Sequence, residues 1–186
     1  TTFDGPAAAQ IAGRLRGTPF AAQIQEVYFP LLRRVGDGWA AGQISVVQEH
    51  FVSGFCRARL MEMLLQLQLD AAGRGPLAAF ACFEDEDHEL GLLGVAISFA
   101  LRGHLVVWLG ARCPLADLVG FVVAEQPVTV CVAVQRTPSP EAVVAYARGL
   151  REAMPPTGRL LMGGAGIVGL SPPVMAGVWW LTQLNE

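Results

Sequence analysis

Leu77-Ala-Ala-Phe-Ala-Cys-Phe-Glu-Asp-Glu-Asp-His88-Glu-Leu-Gly91 is the stretch on which the fold turns. It opens as an unbroken apolar run, Leu77–Phe83, passes through the acidic turn Glu84–Asp87, and enters a second apolar segment, Glu89–Arg102, long enough for a helix. A strand that is apolar throughout is buried on both faces, which is the condition of a parallel sheet sandwiched between helices. The same alternation continues downstream. Leu105–Leu109 reads as a strand, with a helix beginning near Pro114. Val128–Val134 is a strand, and Ser139–Met154 a helix opened by Ser-Pro-Glu. Leu160–Met162 runs into Gly163-Gly164, and Gly177–Thr182 reads as a last strand. Ligands of such sheets bind beyond the carboxyl ends of the strands, and both Glu84–His88 and Gly163–Gly166 fall there.

Upstream the period changes. Ala72-Gly73-Arg74-Gly75-Pro76 is the clearest linker, and residues 1–73 read as helices. Pro6–Arg16 is a short one. A second starts at Thr18-Pro19, with Thr18 as N-cap and Pro19 at the first helical position, and runs to about Gly38. A third extends from Gln43 to about Ala72. Along it Ile44, Val47, Phe51, Phe55, Ala58, Met61 and Leu65 recur at steps of three or four, predicting one buried face. A neighbouring stripe, Val46, Glu49, His50 and Ser53, mixes apolar and polar residues in a way that helix packing alone does not require. The fold class predicted is therefore α + α/β: a helical bundle over residues 1–73, then a flavodoxin-like (Rossmann-like) parallel sheet over 77–186.

Composition narrows the function. The chain has 186 residues, 53% of them hydrophobic, and a net charge of −3 without a basic run. Direct nucleic-acid binding by this segment is excluded on that basis, since phosphate neutralisation needs clustered Lys and Arg. The apolar run Leu90–Leu101 is too short for a bilayer, and the N-terminus lacks the basic start and apolar core of a signal peptide. Four scattered cysteines without a C-x-x-C fit a reduced, cytoplasmic setting. The start without Met and the stop just after the last strand read as trimmed ends. Cys82 and Cys113 lie near strand ends, but neither has a histidine beside it, so both read as buried small hydrophobes. No Ser-His-Asp order, P-loop or zinc spacing occurs.

Two of the three histidines sit in patterns. Trp39, Glu49 and His50 form Trp-x9-Glu-His, and His88 follows 38 residues later. An imidazole at a strand end can coordinate a metal through one nitrogen while the other is fixed by a carboxylate, with Glu86 the candidate partner. Taken alone, the stretch reads rather as a solvated acidic turn that carries a histidine. His104, in a helix-to-strand turn, reads as surface. Gly164-x-Gly166-x-x-Gly169 satisfies a dinucleotide fingerprint, but Pro172-Pro173 prevents a long helix there and no ribose-binding acid follows.

In this order the pieces resemble the cobalamin (B12)-binding domain of light-sensing regulators of the CarH/LitR type. The family pattern Asp-x-His-x-x-Gly, whose histidine is the lower cobalt ligand, reads here Glu86-Asp87-His88-x-x-Gly91. A Ser-x-Leu on the third strand and a Gly-Gly on the fourth correspond to Val132-Ala133-Val134 and Gly163-Gly164. The serine, which in the family contacts the buried nucleotide tail, is missing. The resemblance implies that the helical bundle caps the upper face of the cofactor, with Trp39, Val46, Glu49 and His50 around the upper ligand. It implies adenosylcobalamin as cofactor, held base-off over His88, and light-driven cleavage of its cobalt–carbon bond. It further implies a homo-oligomer and an attached effector or second sensor domain outside this chain. A branch of the family joins the module to a bilin-binding domain, so biliverdin would sit only in such a domain. The histidine that often follows the tryptophan is Ala40 here, which leaves His50 as the source of any upper imidazole. The resemblance implies a photosensory module rather than an enzyme; the alternative is the corrinoid carrier of a methyltransferase system, which shares the cap and the histidine pattern.

Overall fold

The computed structural model describes residues 3–71, 73–136 and 138–181. They fall into two compact units, one up to Leu65 and one from Gln66 onward.

The first unit is helical. α1 (Gly5–Gly13) is capped by Asp4, whose carboxylate accepts the Ala7 amide at 2.8 Å. α2 (Phe20–Ala22), a π-helical turn (Gln23–Tyr28) and α3 (Phe29–Ala40) follow without a break. Pro30, which has no N–H to give, sits in the first turn of α3, and the Phe29 amide reaches back five residues to the Ile24 carbonyl. The wider turn is how the chain carries a proline through a helix without a break. Thr18 is not the cap expected of it: Pro19 holds that position with no side-chain bond. Instead the buried Gln23 amide closes the turn, donating to the carbonyls of Leu15 and Thr18 at 3.2 and 2.8 Å.

α4 (Val46–Asp70) begins three residues later than expected, because Ser45 and Gln48 form a capping box. The Gln48 amide donates to Ser45 Oγ at 3.3 Å and the Ser45 amide donates to Gln48 Oε1 at 2.9 Å. Ala72, the expected end, lies outside the described residues. The buried face also differs from the expected one. Cys56, Leu60, Met63 and Leu64 are buried, whereas Val47 and Leu65 are exposed. This helix is apolar on several sides, so more than one stripe fits a 3.6-residue period and the sequence alone does not choose between them.

The second unit is a five-stranded parallel sheet: β1 (Leu77–Cys82), β2 (Leu105–Gly110), β3 (Thr129–Ala133), β4 (Arg159–Gly163) and β5 (Val178–Leu181) in the order β2-β1-β3-β4-β5. α5 (Leu90–Leu101), α6 (Leu115–Glu125) and α7 (Pro140–Ala153) make the crossovers. Thr182, the expected end of the last strand, lies outside the described residues. β1 is buried on both faces, as its composition predicts: Ala78 to Cys82 are inaccessible to solvent. Ala79 and Ala81 join Val130, Val132, Val143 and Tyr146 in one cluster. Phe80 points the other way, its ring 5.3 Å from that of Phe99 on α5. Ser139 caps α7 through the Ala142 amide at 3.1 Å, and Glu84 caps α6 by accepting the Leu115 amide at 2.9 Å. Among the described residues no helix is long and apolar enough to cross a membrane.

His104 differs from its surface reading. Its ring lies against Phe99 at 4.8 Å, and Nδ1 is buried without a hydrogen-bond partner. Gln68 amide bonds to the Val106 main chain tie the last turns of α4 to the start of β2.

Candidate functional site

The strand order reverses direction between β1 and β3, the place at the carboxyl ends of a parallel sheet where ligands bind in such folds. His88 lies there, held by Glu86. One Glu86 oxygen accepts the His88 amide at 2.9 Å and lies 2.6 Å from His88 Nδ1. The other accepts the amides of Gln135 and Arg136, each at 2.7 Å. A single carboxylate, only 2% exposed, thus bolts the loop after β1 to the loop after β3. Burial alone would push its pKa up. The amide donors of Arg136, His88 and Gln135, together with the His88 ring, outweigh burial and hold it below the ordinary glutamate value. An ionised Glu86 is an acceptor only, so His88 carries its proton on Nδ1 and leaves the Nε2 lone pair for a ligand. The imidazole is largely exposed, at 62%.

A second clamp lies beside the first. Arg112, after β2, holds Asp87 in a two-pronged pair at 2.5 and 2.9 Å, and its amide donates to the Glu86 carbonyl at 3.0 Å. Arg112 has φ of 52°, a left-handed conformation uncommon for a side chain of its size. Arg136 adds a longer contact to Asp87 at 3.4 Å. Asp87, in the motif that carries His88, holds the loop through Arg112 and Arg136. Arg112, Gln135 and Arg136 were not legible as site residues, because no motif marks them and their partners are distant in sequence.

The remaining candidates divide. Gly91, in the first turn of α5, has open space beside it apart from the Gln135 amide. Gly163 ends β4 against Leu181, and Gly164 follows with φ of +127°. A Cβ at Gly164 would sit 2.4 Å from the Val134 carbonyl, and one at Gly166 would sit 1.9 Å from that of Arg136. The close passage these glycines permit is that of the chain's own β3 loop. Val132 and Val134 are buried at 1% in the sheet core, so neither offers a polar contact. The dinucleotide fingerprint opens only a 3-10 turn, Ala165–Ile167.

The helical candidates are more loosely held. Trp39, at the end of α3, is 52% exposed and Val46 51%. Glu49 accepts from Ser53 one turn on and lies 3.6 Å from the exposed His50 ring. Cys82 is buried, and burial raises its thiol to about 12, which suits a packing role.

Among the described residues no group of three or more His, Cys, Asp or Glu converges on a point that could hold an ion. A lone exposed imidazole with its second nitrogen fixed could supply one ligand, through Nε2, to a metal held mainly by other groups. Residues 2–63 match the family model of a B12 binding domain. The chain is also 36% identical, over 164 residues, to the HTH-type transcriptional repressor CarH of Myxococcus xanthus, covering 88% of this chain and 54% of that protein. It belongs to the B12-binding domain family, in its CarH-like form. This B12-binding domain spans about half the length of the curated relative it matches. Its fold is that of the Methanosarcina barkeri monomethylamine corrinoid protein, with a TM-score of 0.70 at 17% identity, covering 92% of this chain and 82% of that one. The kinship in sequence is with a repressor.

Proposed function

We propose that the chain is the sensor module of a larger regulator and holds adenosylcobalamin base-off, with His88 Nε2 as the lower ligand of cobalt. The observation that supports this best is the fixed imidazole: Nδ1 is engaged by a buried carboxylate at 2.6 Å while the rest of the ring is exposed. When bound, the cofactor supplies a cobalt–carbon bond that light can break. The chain's own part is to orient His88 through Glu86, and to keep Glu86 ionised through three backbone amides. In this reading residues 1–73 form the cap and 77–186 the floor. Trp39, Val46, Glu49 and His50 surround the upper group, and Gly91, Gly163 and Gly164 border the lower side. Ala40 has no ligating atom, so His50 supplies any upper imidazole. Kinship with an HTH-type repressor favours output through a DNA-binding domain elsewhere in the protein, with release of the upper group changing the packing or oligomeric state of this module.

The test is the visible spectrum of the chain with adenosylcobalamin in the dark and after green light, for wild type and His88→Ala. Retained cofactor with an irreversible shift on illumination, and altered dark ligation in His88→Ala, supports the sensor. Retention with no light-specific change removes the photoreceptor part and favours a corrinoid carrier. A dark spectrum identical in wild type and His88→Ala removes His88 as ligand.

A further inference from the structure

We propose that Gln135 anchors the nucleotide tail of cobalamin in this chain, in place of the serine that is absent at Val132. The proposal rests on the cobalamin reading above and deepens it.

Val132 cannot take that role, because its side chain is buried at 1% in the sheet core. Gln135 begins the loop beyond β3, three residues on, and its side chain reaches across the strand ends. Its Oε1 accepts the Ala165 amide at 3.0 Å, just past β4. An N–H can meet only an acceptor, so this bond fixes which way the amide faces and turns Nε2 to the other side. There Nε2 lies 3.1 Å from where a Cβ on Gly164 would stand and 3.9 Å from where one on Gly91 would stand. The two glycines come from different elements, yet flank the same NH2 group. A side chain at Gly164 would press on it, whereas one at Gly91 would make only ordinary contact. Among the described residues no acceptor meets Nε2.

The position is fixed independently of any ligand. The Gln135 backbone amide donates to Glu86, the carboxylate that also orients His88. One buried group therefore sets both the imidazole and the amide donor. Arg136 is next in the chain, 61% exposed, its contact with Asp87 a long one at 3.4 Å. The tail of cobalamin carries a phosphodiester and a ribose, both rich in acceptors. An NH2 donor with a guanidinium beside it is the complementary set.

The test compares adenosylcobalamin with adenosylcobinamide, which lacks the nucleotide tail, by spectral titration in the dark. Gln135→Glu keeps an oxygen for the Ala165 amide but replaces the donor with a second acceptor. Gln135→Ala removes both. The expected result is that Gln135→Glu binds cobalamin about tenfold more weakly, or worse, with cobinamide binding and melting temperature unchanged. Gln135→Ala should show a smaller loss in the same direction. Equal losses for both corrinoids, or cobalamin binding by Gln135→Glu equal to wild type, overturns the anchor while leaving the cobalamin reading intact. A wild-type chain that binds neither corrinoid overturns the cobalamin reading, and the anchor with it.

Discussion

The two halves of this chain carry their polar residues in opposite ways. In the sheet half, His88 is tied through Glu86 to two further backbone amides 49 and 50 residues away, and Asp87 is gripped by an arginine from a third loop. In the helical half, Glu49 bonds within its own helix, His50 is 73% exposed and Trp39 stands half in solvent. Yet the family match lies on the helical half, residues 2–63, and leaves His88 outside it. The similarity to CarH, over 164 residues, runs through both halves, whereas the pre-organised polar contacts lie in the sheet half. Loops whose polar groups are fixed in advance lose little freedom when a ligand binds. Side chains held by few contacts can be rearranged at little cost.

The strongest way to break this comparison is to attack the rigid side. Gly164→Ala forces a side chain into a backbone at φ of +127° and places Cβ 2.4 Å from the Val134 carbonyl. A loss of about 4 kcal/mol is expected, from left-handed strain and overpacking together. Chemical denaturation measures it, and a loss below about 1 kcal/mol would mean that the β3 and β4 loops are not closely joined.

Glu86→Gln comes next, at about 3 kcal/mol, because an NH2 group replaces an acceptor that faces amide donors. It also has a pH signature. Glu86 has a folded pKa below its unfolded one, so its contribution is complete above the ordinary glutamate pKa of about 4.3. That contribution is lost as pH falls through the lowered folded value. The stability gap between wild type and Glu86→Gln should therefore be constant near neutral pH and shrink on acidification below about pH 4. A gap independent of pH down to acid unfolding would assign the carboxylate no special role.

The smallest effect on stability is expected on the loose side. Trp39→Ala should change unfolding free energy by about 1 kcal/mol or less, since half its surface is already in water. The same change should weaken adenosylcobalamin binding by severalfold while sparing a corrinoid with a small upper ligand. A large loss of stability without that selectivity would make Trp39 a packing residue.

Much of the fold was legible. Continuous apolar strands and helix-length intervals give the alternation of a parallel sheet, and each strand lies within a residue or two of its expected place. The contact between Glu86 and His88 was legible too, because two residues is a distance that local geometry closes. What escaped was of two kinds. The capping box at Ser45 was present as Ser-x-x-Gln but overlooked in favour of the longer apolar pattern. The buried face of α4 could not be chosen, since a helix apolar on several sides has no unique stripe.

By itself, the sequence determined the order of elements, the sites of their strand ends and the pairing of an imidazole with a carboxylate two residues away. These depend on side-chain polarity and short-range geometry, which are written residue by residue. Only the tertiary structure decided that Arg112, Gln135 and Arg136 meet at that carboxylate and its neighbour. Parallel pairing sets β1 beside both β2 and β3, so loops 25 to 50 residues apart emerge side by side. The groups that join them include backbone amides, which every residue but proline carries and which therefore leave no mark in the sequence.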